Sequence, residues 1–236
     1  MNIDGYTRLA AVVAKPIKHS ISPFIHNLAF ENTGINGVYL AWEIAEEDLA
    51  VTMENVKRYD MFGLNISMPY KQAVIPYLDQ LTKSAQLIGA VNTIIPREGQ
   101  LIGHNTDGIG FFKSLDKLAG FQVQGKVMTV LGGGGAATAI IAQAALDGAA
   151  KIFVFSRSQS IERHTATAQK ISKETQVPIE VLPLEDSSLL QEKIFQSRLL
   201  VNGTSVGMDG KSLVVDEETI LPQNLLVVDV IYQPFE

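Results

Sequence analysis

Four groups of residues in this 236-residue chain carry side chains suited to chemistry on a small polar ligand. The first is Ser20-Ile21-Ser22. In an extended segment alternate residues share a side, so both hydroxyls can face one ligand; Ser22 equally suits the N-cap of the helix that Pro23 would begin. The second is Asn65-Ile66-Ser67-Met68-Pro69-Tyr70-Lys71. Pro69 biases Met68 away from helical angles and stops a strand there. Lys71 then falls at a helix start, against the positive end of the dipole. That placement disfavours the charged form and suits proton transfer. A solvated surface Lys is the plain alternative. The third group pairs Gly89-Ala90-Val91-Asn92-Thr93 with Gly103-His104-Asn105-Thr106-Asp107-Gly108. Small residues bracket Asn92 and Asp107, although Asp107 equally suits an N-cap.

The fourth group is Val127-Met128-Thr129-Val130-Leu131-Gly132-Gly133-Gly134-Gly135-Ala136-Ala137. It reads G-x-G-x-x-A directly after a strand and before a helix. Gly132 permits the tight turn, Gly134 admits a pyrophosphate to the backbone, and Ala137 lets helix and strand pack closely. The helix start offers free N–H groups to phosphate. The next strand ends Phe155-Ser156-Arg157-Ser158, without the acid that would bind a ribose 2′-hydroxyl. Arg157 can pair with a 2′-phosphate, which favours NADP over NAD. A solvated Arg is the alternative.

The elements that must hold these groups alternate. Strand patterns at 9–14, 38–43 and 62–66 interleave with helical patterns at 23–32 and 46–59. Helical patterns follow at 73–81 and 84–88, then a hairpin from 91–96 and 100–103. A second series runs helix 109–119, strand 127–131, an Ala-rich helix to 145, strand 151–155, helix 162–175, and strands 179–182, 199–202 and 225–230. This order predicts an α/β protein with mostly parallel sheets. The restart divides it at 107/108 into two domains.

Composition narrows the function. A net charge of −6 and a pI near 5.3 disfavour a nucleic-acid-binding face. The absence of Cys excludes disulfides, zinc–thiolate sites and a Cys nucleophile. The four His residues, at 19, 26, 104 and 164, form no ligand grouping, so no metal is expected. Met1–Gly5 lacks a signal-peptide pattern, and the apolar stretch 138–150 is interrupted by Gln143 and Asp147. A cytoplasmic protein with no membrane partner is expected.

These segments together resemble the shikimate dehydrogenase family, from about Ala11 to Tyr232. The residues that carry the resemblance are 19–23, 65–71, 89–93, 105–108 and 132–136, with Asn202-Gly203-Thr204-Ser205-Val206-Gly207-Met208 and Asp229-Val230-Ile231-Tyr232. The resemblance implies an N-terminal α/β substrate-binding and catalytic domain over 1–107 and a Rossmann-type doubly wound NADP-binding domain over 108–236, with a cleft between them. It implies NADP-dependent, reversible reduction of 3-dehydroshikimate to shikimate for chorismate and aromatic amino acid biosynthesis, in a monomer or homodimer. Lys71 and Asp107 become the catalytic pair. Ser20, Ser22, Ser67, Asn92 and Tyr232 become substrate contacts. Gly132, Gly133, Gly134, Gly135, Ala136, Ser156, Arg157 and Ser158 become the cofactor site. The alternatives are a quinate/shikimate relative using NAD, and a non-catalytic truncated paralogue.

The sequence departs from the family pattern in places. Ser67 stands where Thr is common. Ser156 and Ile161 stand where the family often has Asn and a second Arg, leaving Arg163 as the nearby cation. Lys83 stands where an acid is usual. The family's further segment after residue 236, with a helix returning to the first domain, is absent from this sequence.

Overall fold

A computed structural model describes residues 3–231. The chain divides between Thr106 and Asp107 into two compact units. In the first, the elements run β1 (Arg8–Ala14), α1 (Ser22–Thr33), β2 (Gly37–Glu43), α2 (Leu49–Arg58), β3 (Gly63–Ile66), β4 (Gln80–Leu81), α3 (Lys83–Ile88), β5 (Thr93–Arg97) and β6 (Gln100–His104). The sheet order is β2-β1-β3-β5-β6-β4. β1 pairs parallel with β2 and β3, whereas β5 runs antiparallel to β3 and β6. The sheet is therefore mixed, because the 93–104 hairpin joins an otherwise parallel set.

Period-2 alternation along β1 splits the core of this unit. Ala11 and Val13 join Leu49, Met53 and Val56 of α2, with Leu64, Ile66, Tyr70 and Val74. Ala10, Val12 and Ala14 join Ile17, Tyr39 and Phe30 on the other side.

The second unit holds α4 (Asp107–Ala119), β7 (Val127–Leu131), α5 (Gly135–Leu146), β8 (Lys151–Ser156), α6 (Ile161–Thr175), β9 (Ile179–Pro183), α7 (Ser187–Gln196), β10 (Leu199–Asn202) and β11 (Leu226–Asp229). Its sheet is parallel throughout, in the order β11-β10-β7-β8-β9. Strand order reverses between β7 and β10, which is the switch point where such sheets bind ligands. Helix α5 is buried on most of its surface through Ala137, Ala139, Ile140, Ile141, Ala142, Ala144 and Ala145. Small residues let α4 come close: a Cβ on Gly108 would lie 2.4 Å from the Ala139 carbonyl oxygen.

Two expectations change, and one helix stands where none is expected. Residues 73–81 are not an α-helix but turns, a 3₁₀ turn at Ile75–Tyr77 and the short β4. Pro76 removes a backbone donor in the middle of that span. The 46–59 helix starts three residues late, after a 3₁₀ turn at Glu46–Asp48. Helix α7 was not anticipated; Asp186 caps it by accepting a hydrogen bond from Leu189 N at 2.9 Å.

Among the described residues, no helix is long and apolar enough to cross a membrane. No group of three His, Asp or Glu among them could hold a metal ion.

Candidate active site

In the first unit, the C-terminal ends of β1 and β3 and the N-terminal end of β5 lie at one edge of the sheet. The polar clusters follow them there. Ser67 N donates to Val13 O (2.9 Å), Ile66 N to Asn92 O (2.8 Å), Val91 N to Lys71 O (2.7 Å) and Asn92 N to His104 O (3.0 Å). These bonds tie 65–71, 89–93 and 104–106 into one piece. Tyr70, 2% exposed, anchors the Lys71 turn by donating its hydroxyl to Ile44 O at 2.7 Å.

Asn92 is buried and its carboxamide oxygen accepts from Thr93 Oγ1 (2.8 Å), Thr106 N (3.0 Å) and Thr106 Oγ1 (3.1 Å). Three donors on one oxygen fix the amide plane. They also fix Thr106, which directly precedes Asp107 in the chain. His104 adds a side-chain bridge, with Nδ1 at 3.3 Å from Ser84 Oγ.

Two expectations for this edge are corrected. Ser22 is the first residue of α1 rather than its cap, and no side-chain cap bond is made there. Its N–H donates instead to Ser20 Oγ at 3.2 Å, so the two serines are linked at the helix start. Lys71 stands in a turn, not at a helix N-terminus, so the dipole argument for it falls with the missing helix. Asp107 is the first residue of α4, in the second unit.

In the second unit, the loop after β7 lies at the switch point. Gly132 has φ +93°, a conformation that favours glycine, and a Cβ on it would meet Thr204 at 2.8 Å. The loop after β10 is held by Asn202. Its Nδ2 donates to Asp229 Oδ2 (2.9 Å), and its Oδ1 accepts from Thr204 N (3.0 Å) and Oγ1 (2.7 Å). Buried Ala137 is closely approached by Gly203, where a Cβ would come within 2.8 Å of the Ala137 Cβ. By contrast, nothing described lies within 4 Å of where a Cβ on Gly134 or Gly135 would sit. That open space, at the free N-terminus of α5, fits a pyrophosphate approaching backbone.

A cavity of about 320 Å³ opens here, lined by Gly132–Gly134, Arg157, Arg163, His164, Leu184 and Thr204, among others. Arg157 and Ser158 are exposed at the end of β8, whereas Ser156 is buried. Ser156 Oγ lies 2.7 Å from His164 Nδ1 and donates to Arg157 O at 3.2 Å. His164 Nε2 lies 3.2 Å from Arg163 Nη2. Every donor finds an acceptor when the imidazole is neutral with its proton on Nδ1. Burial, and then the Arg163 guanidinium, hold His164 below the ordinary histidine value.

The sequence reading missed four contributors to this cavity: Ser160, His164, Leu184 and the Thr204 loop. The Asn202–Met208 segment was visible, but nothing local indicated that it packs on the glycine loop. The structure brings Ser20, Ser22, Ser67, Lys71 and Asn92 to one edge of the first unit. It brings Gly132–Gly134 and Arg157 to one cavity of the second. Tyr232 lies outside the described residues.

Comparison with known proteins identifies the family. Residues 12–94 match the family model described as the shikimate dehydrogenase substrate binding domain. A Streptococcus suis protein named shikimate dehydrogenase (NADP(+)) is 73% identical over 236 residues, covering 100% of this chain and 82% of the relative. The crystal structure of shikimate 5-dehydrogenase from Listeria monocytogenes in complex with shikimate and NAD superposes with a TM-score of 0.93. It is 39% identical, and the match covers 100% of this chain and 82% of that one. A shikimate dehydrogenase structure in complex with NADP+ gives a TM-score of 0.84 at 32% identity, over 100% of this chain and 80% of the other.

Proposed function

The chain belongs to the shikimate dehydrogenase family, and from that membership we propose how its residues carry out the family's reaction. The protein is an oxidoreductase that reversibly reduces 3-dehydroshikimate to shikimate with NADPH, serving chorismate and aromatic amino acid biosynthesis. The observation that carries this reading is 73% identity, over every residue of the chain, to a protein of that name. The glycine loop at the switch point, with Arg157 at the end of the neighbouring strand, fits the cofactor independently.

We assign substrate binding and catalysis to 1–107 and NADP binding to 108–236. Ser20 and Ser22 donate hydrogen bonds to the substrate carboxylate, and α1 begins at that point. Ser67, Asn92 and Tyr232 hold the ring hydroxyls. The fixed amide plane of Asn92 makes this contact directional. Gly132–Ala136 cradle the pyrophosphate, and Arg157 and Ser158 form the 2′-phosphate end; the expected role of Ser156 there is corrected, because its buried hydroxyl is taken up by His164 and Arg157 O and braces the strand end instead.

Bound NADPH supplies the hydride for the carbonyl carbon. Lys71 donates the proton that the carbonyl oxygen gains, and recovers one from solvent. Asp107 accepts a hydrogen bond from the hydroxyl being made or broken and so orients it. The protein functions as a monomer or homodimer in the cytoplasm, on small molecules alone.

The test follows reduced-nicotinamide absorbance with shikimate or quinate, and NADP or NAD. Turnover dependent on shikimate, and faster with NADP than with NAD, is expected. Turnover confined to quinate, or none from a folded chain that binds NADP, would overturn the reading.

A further inference from the structure

Beside the end of β8 stands an acid that the cofactor reading does not use. Glu185 follows β9, and Leu184 N donates to Ser156 O at 2.9 Å, which brings the residue alongside the end of β8. Its carboxylate takes both donors of Ser158: the backbone N–H at 3.0 Å on Oε1 and the hydroxyl at 2.9 Å on Oε2. An anion gripped by a backbone N–H and a hydroxyl, beside an arginine, is held as a phosphate would be.

We propose that Glu185 is a cofactor-selecting residue, an internal carboxylate seated on the donors that the 2′-phosphate of NADP would take, which keeps NAD usable beside NADP. This inference rests on the NADP reading of the same cavity. A 2′-phosphate must share Arg157 with Glu185 and displace it from Ser158, bringing two like charges together. A ribose 2′-hydroxyl meets no such conflict, because it can donate a hydrogen bond to the carboxylate. The groups in reach support the geometry: the hydrogen bonds from Ser158, and then the charge of Arg157, hold Glu185 below the usual carboxylate range, as expected for a carboxylate seated on donors beside a cation. The other cation lining the cavity is Arg163, and His164 beside it is held towards its neutral form.

The like-charge cost across an exposed site is on the order of a fivefold change in affinity. The experiment is calorimetric binding of 2′,5′-ADP and of ADP to the unaltered chain, Glu185→Gln and Glu185→Ala, with circular dichroism to establish folding. Glu185→Gln keeps the shape and removes the charge; Glu185→Ala frees both donors. Both variants are expected to bind 2′,5′-ADP roughly fivefold more tightly, with ADP unchanged or weaker. The ratio of NADP to NAD catalytic efficiency should rise in parallel. A 2′,5′-ADP to ADP preference that moves less than about twofold in both folded variants overturns the role of Glu185 while leaving the nucleotide site standing. Failure of the unaltered chain to bind either nucleotide overturns the nucleotide site itself, and this inference with it.

Discussion

Gly133 and Gly134 are neighbours in one loop, and the structure assigns them opposite sensitivities to alanine. A Cβ on Gly133 would lie 2.5 Å from both Cγ and Nδ1 of His164. The ring must retreat by about an ångström to reach ordinary contact. That movement breaks the 2.7 Å contact with Ser156, whose side chain is buried. The lost hydrogen bond costs about 1 kcal/mol and the overpacking about 1–3 kcal/mol, together roughly 2–4 kcal/mol of stability. At Gly134 the backbone is extended, with φ −72° and ψ −174°, and nothing described lies within 4 Å of a new Cβ. The loss of a favourable N-cap and the gain from a stiffer unfolded chain are each about 0.5 kcal/mol and cancel. The new methyl does enter the space through which a pyrophosphate reaches backbone, so NADP affinity should fall by about tenfold or more. Urea unfolding measures the first quantity and titration calorimetry with NADP the second. Gly134→Ala should unfold like the unaltered chain and bind poorly, whereas Gly133→Ala should unfold early. Equal destabilisation by both, or normal NADP binding by Gly134→Ala, would refute the placement of the cofactor on this loop.

Three further outcomes are expected. Lys71→Ala and Asp107→Asn should each lower kcat by about 10²–10⁴-fold with NADP binding intact; a loss confined to KM would assign them to binding instead. Arg157→Ala should weaken NADP by about 10–100-fold, the worth of a charge-assisted bond, and leave NAD nearly unchanged; parallel losses for both would place the 2′-phosphate elsewhere. His164 sits below its ordinary value of 6.5 when folded, so as pH falls the unfolded chain takes the proton first. Its contribution to stability is therefore complete above 6.5 and is lost as pH falls from there through the lower folded value. Melting temperature should drop over that window, and less steeply in His164→Asn; an identical drop in the two proteins would remove His164 as a cause.

Much of this fold is legible in the sequence because its signals are local. Glycines between a strand and an Ala-rich helix announce the loop at 132–135, and the alternation of β1 announces a buried strand. The helix expected at 73–81 fails for an equally local reason, since Pro76 outweighs the apolar pattern around it. Helix α7 was legible in principle through Asp186 and the spacing of Leu190 and Ile194, but a mixed-polarity stretch drew no assignment.

The features that escaped the sequence share a different cause. Gly132 takes Thr204 as its neighbour, Gly133 takes His164, and Ser158 takes Glu185. Each pair joins segments more than twenty residues apart, brought together because β10 lies beside β7, because α6 follows β8 on the other side of β7, and because β8 and β9 end side by side. A glycine motif indicates that something must come close to the backbone, but cannot say whether ligand or protein fills the space. Here the answer differs within three residues: protein at Gly132 and Gly133, open space at Gly134. The loop is therefore rigid on one side and accessible on the other, the combination that preorganised phosphate binding requires. That division is a property of the sheet topology, which is why the glycine pattern alone identifies the site but not the side chains that brace it.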